Sequence, residues 1–239
     1  MGISLVDTIR ADILSARLRP GTKLTLKILS ARYDCGASPV REALNCLASE
    51  GWVERIDRRG FFVSGISPDG FADILFNRCF MESEALRRSI ALGGADWEER
   101  VLITHFRLST LEKEIDTPGG PRPNLAWEGA HRIFHMALLS ACGSKILLDA
   151  CERLHDLNNR YRHFARTVPG VVRSLDTEHA ALCDHVLARR PEEAVKALQD
   201  HYQRTGDAVL QAKLDSAPVF SNGPASSWAT PSDNGACKG

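Results

Sequence analysis

The 239-residue sequence contains no continuous run of about 18 apolar residues, which is the shortest stretch expected to cross a bilayer as a helix. Its first ten residues include Asp7 and Arg10 and lead into no apolar core, so we expect no secretory signal peptide. The seven cysteines are odd in number and never spaced as Cys-x-x-Cys, which argues against a disulfide framework. These absences predict a soluble, cytoplasmic protein whose cysteines are reduced and mostly buried.

The sequence also has no formal net charge, because 30 basic residues balance 30 acidic residues. The zero average conceals an asymmetry along the chain. Residues 1–66 contain ten Lys or Arg against seven Asp or Glu, a net charge of +3, and the remainder carries −3. A basic head on an acidic body favours contact with nucleic acid through the head.

The head begins with three predicted helices. Apolar residues at helical spacing predict helices over residues 4–17 and 25–33. We expect Ser38 to cap the third helix and Pro39 to occupy its first position, where the missing N–H is not needed. The third helix then continues to Gly51.

Two short β-branched and aromatic runs follow, Trp52–Ile56 and Phe61–Val63. The basic turn at residues 57–60 separates them, so together they predict a hairpin. Three helices with a tight turn between the second and third, followed by a hairpin, are typical of a winged helix-turn-helix.

Beyond Ser67 the strand patterns give way to long helical patterns, broken mainly at Gly and Pro. We therefore predict a mainly α protein: an N-terminal winged helix-turn-helix, residues 1–66, and an all-α six-helix bundle, residues 67–215. Residues 216–239 are rich in Ser, Pro and Gly and are expected to be a disordered tail. The predicted bundle helices span 68–93, 96–115, 123–142, 145–166, 171–189 and 192–214.

The third helix has the features of a helix that reads the major groove. Short side chains near its start let the backbone approach DNA, and an arginine one turn later reaches bases or phosphates. Arg41 could instead be a surface charge paired with Glu42 or Asn45, and the basic hairpin tip could be a solvated turn. The expected DNA-contacting residues are Lys27, Arg32, Ala37, Ser38, Val40, Arg41, Arg58, Arg59 and Gly60.

Four stretches of the head resemble the GntR family of bacterial regulators: LRPGTKL at 18–24, SPVREAL at 38–44, EGWV at 50–53 and RGFFV at 59–63. The resemblance covers nearly all of residues 5–64 and implies binding to operator DNA. Ala37 stands where the family usually has an arginine that reads a base. The operator of the common members should therefore not be assumed.

Histidines mark a second candidate site in the bundle. His131 and His135 are spaced i, i+4 and lie on one helical face, while His179 and His201 belong to later helices. Four inward-facing imidazoles could close around Zn²⁺ or a similar divalent cation, with Ni²⁺ or Mn²⁺ as alternatives. Taken singly, each could also be an ordinary core or surface histidine.

The bundle resembles the FCD ligand-binding domain of the FadR subfamily over residues 68–210, through RCFME at 78–82, HRIFH at 131–135 and Glu178–His179 with His201. The family typically uses one Asp and three His as metal ligands, and His131 stands where the Asp is usual. The resemblance implies an open metal position for a small carboxylate effector.

Three arginines are candidates for the effector's other charged end: Arg78, Arg160 and Arg162. Arg78 could instead form an intrahelical pair with Glu82. The run MESEALRRSI at 81–90 looks most like the carbon-starvation-induced branch, whose members respond to glutarate and related dicarboxylates. The short link between head and bundle suggests the VanR-like, six-helix form.

The sequence thus predicts a one-component repressor that binds a palindromic operator as a homodimer and responds to a small carboxylate. One alternative keeps the DNA-binding head but makes the bundle a dimerisation module without a ligand. A metal-dependent hydrolase is a second alternative. It is disfavoured because the sequence has no His-Glu-x-x-His motif and because a DNA-binding head would then have no purpose.

Overall fold

A computed structural model describes residues 4–116, 122–166 and 175–211. The head consists of three helices and three short strands, the first of which lies between the first two helices. Ser4 caps the first helix by accepting a hydrogen bond from the Asp7 amide, 3.1 Å away. The elements of the head are α1 (Leu5–Leu14), β1 (Lys23–Leu24), α2 (Leu26–Arg32), α3 (Ala37–Ser49), β2 (Val53–Ile56) and β3 (Gly60–Val63).

Six helices form the bundle over the described residues, and a two-stranded ribbon joins the second of them to the third. Helix α4 packs against α7 and α9, α5 packs on α6, and α8 packs on α9. The mainly α fold class is confirmed. The elements are α4 (Pro68–Leu92), α5 (Ala95–Ser109), β4 (Glu114–Ile115), β5 (Arg122–Pro123), α6 (Leu125–Leu139), α7 (Lys145–Arg166), α8 (Asp176–Leu187) and α9 (Pro191–Gln211).

The start of α3 corrects the sequence-based prediction. Gly36 is the N-cap residue, in extended conformation, and the helix begins at Ala37. Ser38 is therefore a helical residue, and its hydroxyl lies 3.4 Å from the Glu42 carboxylate. Pro39 occupies the third helical position. A backbone N–H there would have no partner within the helix, so the proline costs no hydrogen bond.

Two small sheets were not fully predicted. Strand β1 pairs antiparallel with β3, which gives the order β1-β3-β2, but two residues are too few to show an alternating pattern. The helix predicted over 96–115 ends at Ser109, and residues 114–115 pair with 122–123 instead. Leu111 and Ile115 are spaced i, i+4, which imitates a helical stripe.

The described residues contain two separate hydrophobic cores, one formed by the head and one by the bundle. Helix α7 holds the link between them. Arg160 donates a hydrogen bond to the carbonyl of Gly65, and the amide of Ser67 donates to the Tyr161 hydroxyl at 3.5 Å. The Tyr161 ring also packs on Phe71, with ring centroids 5.0 Å apart. The head is thus tied to one particular helix of the bundle.

Some predictions fall on residues that the structure does not describe. These are the tail at 216–239, the predicted helical residues 171–174 and the last residues, 212–214, of the predicted final helix. Among the described residues, no helix combines the length and the apolar character that crossing a bilayer requires.

Candidate nucleic-acid interface and metal centre

Helix α3 presents two different faces. Val40, Ala43, Leu44 and Leu47 are buried in the core of the head, whereas Arg41 and its neighbours along the outer face are exposed. Val40 is fully buried, so its side chain is not available for a base contact, and its place among the DNA-contacting residues is corrected. Its apolar contacts instead anchor the exposed face of α3.

A cleft of about 450 Å³ lies between the outer face of α3 and the hairpin. Four basic side chains and one acidic side chain, Asp57, line it, so it attracts an anion such as a phosphate backbone. Sequence reasoning identified two of the four but missed the other two, because the pairing of β1 with β3 and the position of β2 bring them there. The basic residues are Lys23, Arg41, Arg55 and Arg58.

The tip of the hairpin separates its two arginines. Arg58 adopts a left-handed conformation with φ +59°, and Gly60 has φ +94°, which favours glycine at that position. Arg58 lines the cleft, whereas the guanidinium of Arg59 lies over the ring of Phe62, 5.4 Å from its centroid. Both side chains are exposed, but only that of Arg58 lines the cleft.

The two basic residues predicted on α2 have different roles in the fold. Lys27 is exposed. Arg32 is committed to an ion pair with Asp12, at 2.7 Å. Asp12 is buried, and it also binds Arg17 and accepts a hydrogen bond from the Tyr33 hydroxyl at 2.9 Å. Burial and this hydrogen bond raise the pKa of Tyr33 to about 12. Arg32 therefore helps hold α1 to α2.

The four predicted histidines come together in the bundle from three helices. His131 and His135 lie on α6, His179 on α8 and His201 on α9, and none is more than 4% exposed. One candidate ligand atom from each lies within 4.8 Å of the others. The Nε2 atoms of His131 and His135 are 3.1 Å apart, close to the separation of about 3.3 Å expected between two nitrogens of a tetrahedral Zn²⁺ site. The arrangement fits a divalent cation.

Hydrogen bonds orient two of these rings so that Nε2 carries a lone pair. The Glu178 carboxylate only accepts, so the 2.8 Å contact places the proton of His201 on Nδ1. The Tyr202 hydroxyl donates its hydrogen bond to Glu82. Its oxygen therefore accepts a hydrogen bond from Nδ1 of His135, at 3.3 Å. Such partners behind a metal-binding histidine fix its tautomer and its direction.

His179 also suits metal binding, since its buried Nε2 has no hydrogen-bond partner among the described residues. Burial is the main cause that lowers the pKa of His135 and of His179 well below the usual value, and neighbouring imidazoles lower both pKa values further. Neutral imidazole is the form that binds a metal.

His131 differs from the other three. The Nη1 atom of the Arg162 guanidinium lies 3.5 Å from its Nδ1. A guanidinium only donates, so it does not place a proton on Nδ1 as a carboxylate would. Arg162 also donates to Asn159 at 2.9 Å and lies 3.6 Å from the Glu128 carboxylate. Of the three candidate effector arginines, Arg162 is the one in contact with the cluster.

Arg78 is buried one layer behind the cluster. It forms the intrahelical ion pair with Glu82 that was the alternative to effector binding. Its Nε donates to Glu82 at 2.7 Å, and its guanidinium stacks on Tyr202, 3.9 Å from the ring centroid. Both Arg78 and Glu82 are almost completely buried. The ion pair therefore supports Tyr202, which in turn orients His135.

Arg160 does not belong to this site. It is buried against the link, where it binds the carbonyl of Gly65, and burial lowers its pKa. Arg160 and Arg162 are two residues apart on α7, about 200° around a helix, so one faces the link when the other faces the cluster. The expectation that Arg160 binds an effector is corrected.

Replacing Glu178 with Gln should weaken the metal site. The amide still reaches His201 but lacks the charge that makes Nδ1–H a strong donor, and loss of such a partner typically costs about 10- to 100-fold in metal affinity. Competition with a chromophoric chelator measures this directly. Glu193→Gln, at an exposed position early in α9, is the control and should leave affinity unchanged. Equal affinity of both variants would contradict the role of Glu178.

Known proteins resemble both halves of the chain. Residues 4–63 match the bacterial regulatory proteins of the gntR family, and residues 73–204 match the FCD domain. The chain is 36% identical over 206 residues to the uncharacterized HTH-type transcriptional regulator BphR of Paraburkholderia xenovorans strain LB400, covering 86% of this chain and 84% of BphR. It is 34% identical to the HTH-type transcriptional repressor GlaR of Escherichia coli K12, covering 85% and 93%.

Solved structures share the fold. Escherichia coli McbR/YncC aligns with a TM-score of 0.69 at 19% identity, covering 88% of this chain and 99% of that one. GntR regulators bind operator DNA and are generally dimeric, and FCD domains are known to bind metals. The relatives are transcriptional regulators, which removes the hydrolase alternative. The chain therefore belongs to the GntR family of DNA-binding transcriptional regulators and carries a C-terminal FCD domain.

Proposed function

We propose that this regulator is a repressor whose operator affinity is controlled by a small dicarboxylate bound at a metal site among the four histidines. The observation that carries this proposal is the buried cluster itself, with ligand atoms of His131, His135, His179 and His201 within 4.8 Å of one another. Three of its rings have tautomers or unpartnered nitrogens suited to a cation. Burying four polar rings this closely is unfavourable unless something binds them.

The DNA-binding proposal rests on the basic cleft. Arg41 would enter the major groove from the exposed face of α3, with Ala37 and Ser38 keeping the helix start narrow. Arg58 and Arg59 would flank or enter the minor groove, and Lys27 would contact phosphates. Because Ala37 has no polar group, it cannot read a base by hydrogen bonding. Arg41 therefore bears more of the sequence preference.

The metal proposed is Zn²⁺, with Ni²⁺ and Mn²⁺ as alternatives, because all four ligands are imidazole nitrogens. When bound, the cation supplies an undiminished charge of +2, since four neutral ligands add no negative charge, and this charge attracts a carboxylate. Arg162, beside His131, adds a second positive group at the same place. A dianion such as glutarate matches this charge better than a monoanion does.

The proposed repressor is a cytoplasmic homodimer. It places two copies of α3 in successive major grooves of a palindromic operator, about 34 Å apart. Phe76 and Phe80 lie one turn apart on α4 and are 69% and 70% exposed, which suits an apolar contact with a second copy.

The proposal assigns the chain to the VanR-like, carbon-starvation-induced branch. It also divides the chain at residues 1–66 and 67–215, with a tail at 216–239.

Gel shifts with the DNA upstream of the protein's own coding region test this function. Full-length protein loaded with Zn²⁺ should bind the fragment, and glutarate should weaken the complex by about 5- to 150-fold, the usual range of allosteric coupling. Chelator-treated protein should still bind DNA but should not respond to glutarate. A Zn²⁺-loaded protein that binds the fragment and ignores every carboxylate would instead support the ligand-free dimerisation bundle.

A further inference from the structure

We propose that His155 donates a hydrogen bond from Nε2 to the second carboxylate of the effector and thereby selects dicarboxylates over monocarboxylates. The inference rests on the proposed function and names a residue of the effector site that sequence reasoning did not single out.

His155 lies on α7 next to the cluster but outside the set of candidate metal ligands. Its ring centroid is 6.0 Å from that of His131 and 5.9 Å from that of His135. The residue is 1% exposed. A group bound to the cluster and extended by a short carbon chain would therefore reach the region of His155.

One neighbour determines which nitrogen of His155 carries the proton. The Nη2 of Arg78 lies 3.4 Å from Nδ1 of His155, and a guanidinium has hydrogens to donate but no lone pair to offer. Nδ1 must therefore be the acceptor, which leaves the single proton of the neutral ring on Nε2. Burial, followed by the charges of Arg78 and Arg162, lowers the pKa of His155 well below its usual value, so the ring is neutral.

The resulting N–H has no acceptor among the described residues, because Nε2 of His155 is buried without a hydrogen-bond partner. Such groups are rare in folded proteins, and they are satisfied by a ligand or by water. His155 is not one of the four histidines whose candidate ligand atoms converge, so it is not assigned as a fifth metal ligand. It requires an oxygen acceptor, and a carboxylate is the strongest one available in a small metabolite.

The surroundings favour an anion at this position. Arg162 contacts both His131 and Asn159, and the next residues along α7 towards His155 are the buried amides Asn158 and Asn159. These groups can satisfy oxygens that lose their hydration. One carboxylate at the cluster and a second at His155 define a short, flexible dicarboxylate as the class of ligand.

Two substitutions at the same position separate the N–H from the rest of the ring. Gln places its amide nitrogen near the location of Nε2, whereas Asn reaches only as far as Nδ1. Full-length Zn²⁺-loaded protein and both variants are titrated calorimetrically with glutarate and with pentanoate, which has the same five carbons but one carboxylate. Metal content is measured for each protein.

We expect wild type to bind glutarate at least about tenfold more tightly than pentanoate, since a hydrogen bond to a charged group has this effect. His155→Gln should retain the preference, and His155→Asn should lose it without losing metal. Equal preference in His155→Asn and wild type, or loss of metal from His155→Asn, would overturn the inference alone. Wild type that binds neither acid would refute the proposed function as well.

Discussion

Replacing Arg41 with alanine should abolish operator binding. Arg41 is the exposed arginine on the outer face of α3 and lines the basic cleft shared with the hairpin. A bidentate arginine contact to a base contributes about 1–3 kcal/mol, and a dimer loses two of them, so affinity should fall by about 30-fold to more than 10⁴-fold. Gel shifts at fixed salt measure the loss, and calorimetry should show unchanged effector binding.

Arg107→Ala is the matched control, since it removes one exposed positive charge from α5 in the bundle. It should leave operator affinity within about twofold, because a distant charge adds little to binding at ordinary salt. If Arg41 contacts only phosphate, affinity for all sequences should fall together and the salt dependence should become shallower. Equal operator affinity of Arg41→Ala and wild type would contradict the assignment of α3 as the reading helix.

The second large effect is expected from His135→Ala combined with His179→Ala. Two ligands on two helices disappear, so bound metal should fall from about one ion per protomer to nearly none. Metal analysis after gel filtration measures this. The increment of about 2.7 kcal/mol in unfolding free energy that a ligand supplies at about 100 times its Kd should vanish from chemical denaturation curves. The response of operator binding to glutarate should vanish with it.

His105→Ala combined with His185→Ala removes the same number of imidazoles from α5 and α8, outside the cluster. Metal content and effector response should then be unchanged. Circular dichroism should show full helical content for both double variants, because the two cores of head and bundle are intact. An unchanged metal content in His135→Ala/His179→Ala would rule out the proposed ligands.

Most of the fold follows from periodicity and from breaking residues. The predicted helix over 145–166 has the same limits as α7, because a Gly-Ser break precedes a long amphipathic pattern. The start of α3 was misplaced because Ser38 looks like a better cap than Gly36, although glycine also occupies this position well. Strand β1 gave no signal, since its two residues are defined only by the partner strand.

The candidate site was predictable in its ligands but less so in its supporting groups. The i, i+4 spacing identified His131 and His135, the predicted later helices supplied His179 and His201 as further candidates, and the family resemblance then supported the set. Glu178 meets His201 across 23 positions of the chain, and no local pattern reports such a contact. Arg78 was ambiguous because an arginine four residues before a glutamate suits either an ion pair or a ligand. Only the packing of α4 against α9 resolves this in favour of the pair.

Residues 160–162 give α7 a mechanical property. Arg162 contacts His131, while Arg160 and Tyr161 bind the backbone of Gly65 and Ser67. Consecutive residues of one helix move as a rigid unit, because the backbone hydrogen bonds leave no play between them. A sideways shift of α7 at Arg162 is therefore expected to displace its contacts with Gly65 and Ser67 by a similar distance, because both sets of contacts are made within one helical turn.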